Sequence, residues 1–349
     1  MRKVVILGAG ASAFYDSSRP TWERPPVGAD VLTRGKEMGI LSDPFFSELV
    51  EAAKLFAIER GSSPGTEFQV DIEELLAWIA ARFQSHSEAM RLGTRPSEPF
   101  DSQLALGEAT FFLYELLRVP IAAYAPRDDA YTRLARSYHK EQFGVISLNY
   151  DTLFDLAALH TVRGISYTPP VMPGSLPIAK LHGSVNWWNP LGRAVRLGGP
   201  GPWNPKNAMR LVWSNVFKME PPMIGSPDAP KFLSWRDLLP NGENYSEVAI
   251  IPPVGVYKDF RKLDIYETVV NWARAMLGSS EEIVLIGTSI RRQDDVLRGL
   301  LKPALARKPQ LTIVGGVDTV KKAIAEIEPA ADVSTAQTYP TFEEYGRTL

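Results

Sequence analysis

Val4-Val5-Ile6-Leu7, running directly into Gly8-Ala9-Gly10-Ala11-Ser12-Ala13, is the stretch that decides the fold class. A short apolar run rich in β-branched residues and ended by glycine predicts a strand buried on both faces of a parallel sheet. The six residues after it fit G-x-G-x-x-G/A. In that pattern glycines let the backbone turn tightly and approach a pyrophosphate, whose charge meets a helix N-terminus. The same letters also describe a tight strand-to-loop turn that holds nothing, and the strand in front favours the nucleotide. A dehydrogenase fingerprint asks for a second strand and an acidic residue ~20 positions on. Here Ser17 to Gly28 holds Pro20, Pro25 and Pro26 and reads as loop, with Asp30 at about the right count in the wrong context. A dehydrogenase is therefore disfavoured, and the loop is long enough to fold over a bound nucleotide.

Beyond this loop, residues 36–139 read as helical. Ile72, Leu75, Leu76 and Ile79 form one helix face with Asp71 as N-cap. Leu104 to Leu117 is a second helix stopped near Pro120, and Tyr131 to Tyr138 a third. Strands follow at Phe143–Leu148 and Ile178–Leu181. Between Asn186 and Pro230 stand five glycines and eight prolines, with Trp187, Trp188, Trp203 and Trp213, a texture of loop or short β-structure. Strand and helix then alternate: Val248–Ile251, Ile265–Met276, Ile283–Ile286, Asp294–Ala306, Leu311–Val314 and Val317–Ile327, with a last strand at Val333–Ala336. Such alternation predicts an α/β fold, a Rossmann-like doubly wound parallel sheet. It carries a helical insertion (36–139) and a Pro/Gly/Trp-rich insertion (186–246) on a nucleotide-binding domain of residues 1–35 and 140–340.

The composition narrows the chemistry. In 349 residues, 38 Lys and Arg stand against 40 Asp and Glu, a formal charge of −2. This gives no electrostatic footprint for nucleic acid or an anionic membrane. The absence of cysteine removes disulfides, Cys-zinc sites, iron–sulfur clusters and thiol nucleophiles. The four histidines, His86, His139, His160 and His182, lie far from any metal-binding spacing, so no metal is expected. The apolar stretch from Leu104 to Ala125 is interrupted by Glu108, Glu115 and Arg118, and the apolar run at Val4 is too short for a secretory core. A cytoplasmic protein starting at Met1 is the expectation.

In open α/β sheets ligands bind beyond the carboxyl ends of the strands. Small or polar residues follow five of the expected strands: Gly8; Asn149-Tyr150-Asp151; His182-Gly183-Ser184; Gly287-Thr288-Ser289, with Asp294 and Asp295 soon after; and Gly315-Gly316-Val317-Asp318. Singly, each has an ordinary explanation. Asn149 and Asp151 suit turns and helix caps, His182 suits a satisfied core position, and Thr288 and Ser289 suit caps. Together they point to one nucleotide pocket.

Taken in order, Gly8-Ala9-Gly10-Ala11-Ser12, Leu148-Asn149-Tyr150-Asp151, Leu181-His182-Gly183 and Gly287-Thr288-Ser289-Ile290 resemble the sirtuin superfamily, and most of all the sirtuin-like domains of bacterial antiphage defence systems. The resemblance covers about residues 1–35 and 140–340. It implies that Gly8, Ala9, Gly10, Ala11 and Ser12 hold the NAD phosphates, that Asn149 lies near the nicotinamide ribose, and that Asp151 is the aspartate of the same motif. It makes His182 the active-site histidine. Gly287, Thr288 and Ser289 fall on the adenosine side, and Gly316, Val317 and Asp318 at the adenine. Deacylase sirtuins carry a four-cysteine zinc module after the His-Gly motif. This chain has no cysteine and places the Pro/Gly/Trp block there. Where deacylases carry a G-I-P-D-F-R-like loop, it has Pro25-Pro26-Val27-Gly28-Ala29-Asp30.

The resemblance therefore implies NAD as substrate and an NAD glycohydrolase that cleaves the nicotinamide–ribose bond as an antiphage effector, with Asn149, His182 and Asp151 catalytic. An NAD-dependent protein deacylase and a catalytically silent nucleotide-binding subunit are the alternatives. A toxic NAD-depleting enzyme needs restraint, so a homo-oligomer or a partner defence protein such as a motor ATPase is expected.

Overall fold

The computed structural model describes residues 2–63, 65–91, 100–192, 218–219, 244–250 and 264–349. A seven-stranded, wholly parallel sheet organises them. In chain order its strands are β1 (Lys3–Leu7), β2 (Gly144–Ser147), β3 (Gly164–Ser166), β4 (Ser175–Lys180), β8 (Glu282–Ile286), β9 (Gln310–Val314) and β10 (Gln337–Tyr339). The spatial order is β10-β9-β8-β1-β2-β4-β3. The chain thus builds outward from β1 on one side, then returns to lay β8 against the other side of β1. That reversal is the switch point at which open α/β sheets form a crevice. A smaller antiparallel sheet is made by β5 (Gly183–Gly192), β6 (Lys218–Met219) and β7 (Asn244–Ile250), in the order β6-β5-β7. The α/β, Rossmann-like class expected from the sequence is the one observed.

The central strands are apolar because both their faces are covered. Val4, Val5, Ile6 and Leu7 have no exposure, and Ile283–Ile286 and Ile313–Val314 have almost none. Pairing aligns the strand ends: Leu7 lies beside both Ser147 and Ile286, Ser147 beside Lys180, and Ile286 beside Val314. This register brings the residues after five strands to one edge.

Between β1 and β2 run α1 (Ala9–Ala13), α2 (Asp30–Glu37), α3 (Ser47–Glu59), α4 (Ile72–Arg91), α5 (Ser102–Ala123) and α6 (Ala130–Glu141). Asp71 caps α4 by accepting from the amides of Glu73 (2.9 Å) and Glu74 (3.3 Å). The expected stop near Pro120 does not occur. Proline removes one amide donor within the last turn, while Leu116, Leu117 and Ile121 around it are buried, so packing carries the helix to Ala123. After β2 come α7 (Leu153–Thr161), α8 (Asp264–Gly278), α9 (Asp295–Leu305), α10 (Val317–Ile327) and α11 (Phe342–Gly346).

Two further expectations shift. The final strand is Gln337–Tyr339 rather than Val333–Ala336, because Tyr339 pairs with Val314 and its carbonyl accepts from Gly315. The strand expected at Val248–Ile251 is β7, which ends at Ile250. Most of the Pro/Gly/Trp block, including Trp203 and Trp213, lies outside the described residues. Among the described residues no helix is long and apolar enough to cross a membrane.

Candidate active site

A cleft of about 670 Å³ opens at the aligned strand ends, within the ~300–1,000 Å³ usual for small-molecule sites. Gly8, Ala9, Gly10, Asn149, Asp151, His182, Gly287, Thr288, Ser289 and Gly316 all line it. Ala11 and Ser12 sit fully buried behind its wall, and Val317 and Asp318 lie beyond it. Pro25, Pro26, Val27 and Gly28 line it as well, so the loop after the glycine turn does border the cleft.

The glycine turn meets a packing requirement of its own. The β1 turn crosses the turn after β8 at backbone contact distance. A Cβ on Gly8 would meet the Gly287 carbonyl oxygen at 2.5 Å, and one on Gly287 would meet the Ala11 amide nitrogen at 2.1 Å. The Gly8 amide donates to Ile286 O (2.9 Å), Gly10 to Gly287 O (2.9 Å) and Ala11 to Gly8 O (2.8 Å). These three donors are already used inside the protein. Helix α1 has only five residues, too few for a substantial dipole at its start. The glycines are therefore required first by chain crossing, and they present a flat backbone wall to the cleft.

Another part of the lining is built from side chains. Asn149 is buried. Its amide Nδ2 donates to Ser12 Oγ at 3.0 Å, and Ser12 Oγ also bonds the Tyr131 hydroxyl at 2.7 Å. Asn149 Oδ1 has no hydrogen-bond partner among the described residues, nor has Thr288 Oγ1. Two buried polar atoms at the cleft are thus left unsatisfied by the protein, a costly arrangement unless something else bonds them. Asp151 accepts from the Leu153 amide (3.0 Å) at the start of α7, and its backbone carbonyl accepts from Lys180 Nζ (2.5 Å). Burial pushes the Asp151 carboxyl up, while the ammonium of Lys180 and the hydroxyl of Ser12 draw it back. Lys180, fully buried, also pairs with Asp155 at 3.4 Å.

His182 stands between Asn149's strand end and the loop after β8. Its Nδ1 lies 3.0 Å from the Leu148 carbonyl oxygen, and its Nε2 lies 3.0 Å from Asp294 Oδ2. Both side chains are 4% exposed. Next to them the helical segment reaches in. Arg291 forms a two-pronged bond with Asp71, at 2.8 Å for each prong, and its Nε lies 2.5 Å from Glu73. Enclosure pushes the Glu73 carboxyl up against the pull of Arg291. Asp294, Arg291 and Glu73 are site residues that the sequence reading did not assign. Asp294 was visible as an acidic residue after Gly-Thr-Ser, but its partner lies 112 positions away. Nothing local marks Glu73.

Among the described residues no group of three or more His, Asp or Glu could hold a metal ion. No protein-family model matches the chain, and no curated protein matches it. Among solved structures, it is similar to a Sir2 mutant with a p53 peptide and NAD, at 15% identity and TM-score 0.37, covering 99% of this chain and 91% of that one. It is also similar to a mutant Sir2 homologue in complex with ADP-ribose, at 14% identity and TM-score 0.40, with coverage of 99% and 91%. A third, described as the structural basis for sirtuin substrate affinity, is 17% identical with TM-score 0.34, covering 66% of this chain and 72% of that one.

Proposed function

We propose that this chain hydrolyses the nicotinamide–ribose bond of NAD. The observation that carries the proposal is the juxtaposition in one cleft of Asn149, with a buried and unsatisfied carbonyl oxygen, and His182. The motif resemblance supports the same reading. Nicotinamide leaves as a neutral molecule from a cationic nucleotide, so no acid is needed to expel it. The transition state is oxocarbenium-like, as in other glycosidic cleavages. The chain's tasks are then grip, orientation and a guided water.

In this reading the Gly8–Gly10 and Gly287 wall receives the pyrophosphate face-on, with the Thr288 hydroxyl as the free polar group beside it. Asn149 Oδ1 accepts from the attacking water or a ribose hydroxyl. Ser12, backed by Tyr131 and Asp151, fixes the amide so that this oxygen faces the cleft. The proton is taken up by His182 together with Asp294, since both ring nitrogens are already hydrogen-bonded. The Pro25–Gly28 strap and the apolar residues Ile72, Leu113, Leu116 and Leu117 keep bulk water from the reacting carbon. In the same proposal, residues 1–35 and 140–340 form the NAD-binding unit. The protein acts in the cytoplasm as an antiphage effector, restrained by self-association or by a defence partner.

The test is nicotinamide release from NAD by the purified chain without peptide, beside His182→Ala and Asn149→Ala. Each variant is expected to lose about 10²–10⁴-fold. Wild-type turnover by both variants, or release that requires an acyl-lysine peptide, overturns the proposal.

A further inference from the structure

Neither ring nitrogen of His182 is free. The Leu148 carbonyl oxygen can only accept, so the Nδ1 atom 3.0 Å from it carries hydrogen. The other nitrogen, Nε2, faces Asp294 Oδ2 at 3.0 Å. Two lone pairs cannot face each other at that distance in a buried place, so one proton lies between Nε2 and Oδ2. It belongs to the pair rather than to either group. Asp294 is itself held, because its Oδ1 accepts from the Leu297 amide at 3.2 Å and so caps α9. The pair is anchored at one end by a strand carbonyl and at the other by a helix terminus.

We propose that Asp294 is a positioning residue that locks the ring orientation and protonation pattern of His182, so that the two side chains act as one proton-holding unit in the cleft. This rests on the catalytic reading of His182 given above. The arrangement explains why Asp294 lines the cleft while capping a helix that any Asn or Ser would cap. The other charged or titratable groups around the pair are Glu73 and Asp71 from the start of α4, Arg291 from the loop after β8, Tyr150 after β2, and Tyr266 from α8. Arg291 is already paired with the two carboxylates, which leaves Asp294 as the carboxylate in contact with the ring.

The cap role and the proton role can be separated. In Asp294→Asn the cap survives, since Asn caps as well as Asp, whereas Asp294→Ala loses both. Proton NMR of the full chain is expected to show a low-field ring N–H resonance that disappears in His182→Gln, in Asp294→Asn and in Asp294→Ala. Asp294→Asn is expected to keep the wild-type melting temperature within a few degrees. Its kcat for nicotinamide release should fall about 10²–10³-fold, with KM within about threefold, the size of loss expected when a general base is disarmed. Wild-type kcat in Asp294→Asn overturns the proposal. So does a low-field resonance that survives in Asp294→Asn, or a wild-type spectrum without it. If the wild-type chain releases no nicotinamide, the NAD reading fails on its own, and the spectra still decide whether the pair shares a proton.

Discussion

The two walls of the cleft are made of different materials. On one side, Gly8, Gly10 and Gly287 meet backbone to backbone, and no side chain fits between them. On the other, Asn149, Asp151, His182 and Asp294 are placed by hydrogen bonds among side chains. A change in the first wall strikes the sheet itself, because the crossing joins the ends of β1 and β8. A change in the second is expected to leave the sheet standing. The contrast teaches that a glycine-rich turn after a first strand can be a packing requirement before it is a ligand site.

The sharpest way to break this contrast is Gly287→Ala. The added carbon falls 2.1 Å from the Ala11 nitrogen at a φ of +56°, so a loss of more than ~4 kcal/mol is expected, seen as a collapse of melting temperature or soluble yield. Gly316→Ala is the control. It has a similar φ of +59° but open space around it, and it should cost only ~1–2 kcal/mol. Equal losses in the two would refute the crossing as the reason for Gly287.

Asn149→Ala probes the other wall. Nicotinamide release should drop about 10²–10⁴-fold, equal to ~3–5 kcal/mol on the barrier, while melting shifts far less than in Gly287→Ala. A variant that melts as low as Gly287→Ala would erase the distinction between the walls. Ser12→Ala lies between the two. It strips Asn149 Nδ2 and the Tyr131 hydroxyl of their shared partner, with an expected cost of ~1–3 kcal/mol and a smaller loss of turnover than Asn149→Ala. Unchanged kinetics in Ser12→Ala would mean that the amide needs no such support.

The smallest effect concerns Asp16, just past the glycine turn. Burial works to raise its carboxyl, but the Ser18 hydroxyl and amide and the Arg127 guanidinium outweigh that and leave it below the usual value of 3.8. A lowered carboxyl contributes stability that is present above the unfolded value and is lost as pH falls through the folded one. Since Arg127 is half exposed, the contribution should be under ~1 kcal/mol. Denaturant unfolding of Asp16→Asn should show that gap at pH 7 and its disappearance near pH 2. A constant gap across that range would assign the loss to packing instead of charge.

Much of the fold is legible because parallel strands such as Val4–Leu7 and Ile283–Ile286 are short β-branched runs, and their ends carry the small and polar residues. What escapes is long-range. The three-residue strand Gly164–Ser166 has no pattern of its own. Pro120 was expected to end a helix that neighbouring packing carries onward. The Gly8 amide bonds Ile286 O and the Gly10 amide bonds Gly287 O, and only the three-dimensional crossing reveals this. In the site, Asn149 and His182, both singled out from strand ends, line one cleft. Ser12, a member of the glycine-turn motif, also bonds Asn149, a contact no local spacing announces. Asp294 and Glu73 enter from loops and helices whose proximity no local spacing records.

The pairing of β1 with β8 has a consequence for synthesis. Lys3 is made well before its partner Glu282. Until β8 emerges, β1 has one open edge of backbone donors and acceptors on a strand with no polar face, the kind of edge that recruits foreign strands. The cleft is finished later still, because Phe342 and Glu343 form part of its border. A nascent or truncated chain ending before these residues therefore cannot present a complete site. Such fragments are expected to be insoluble.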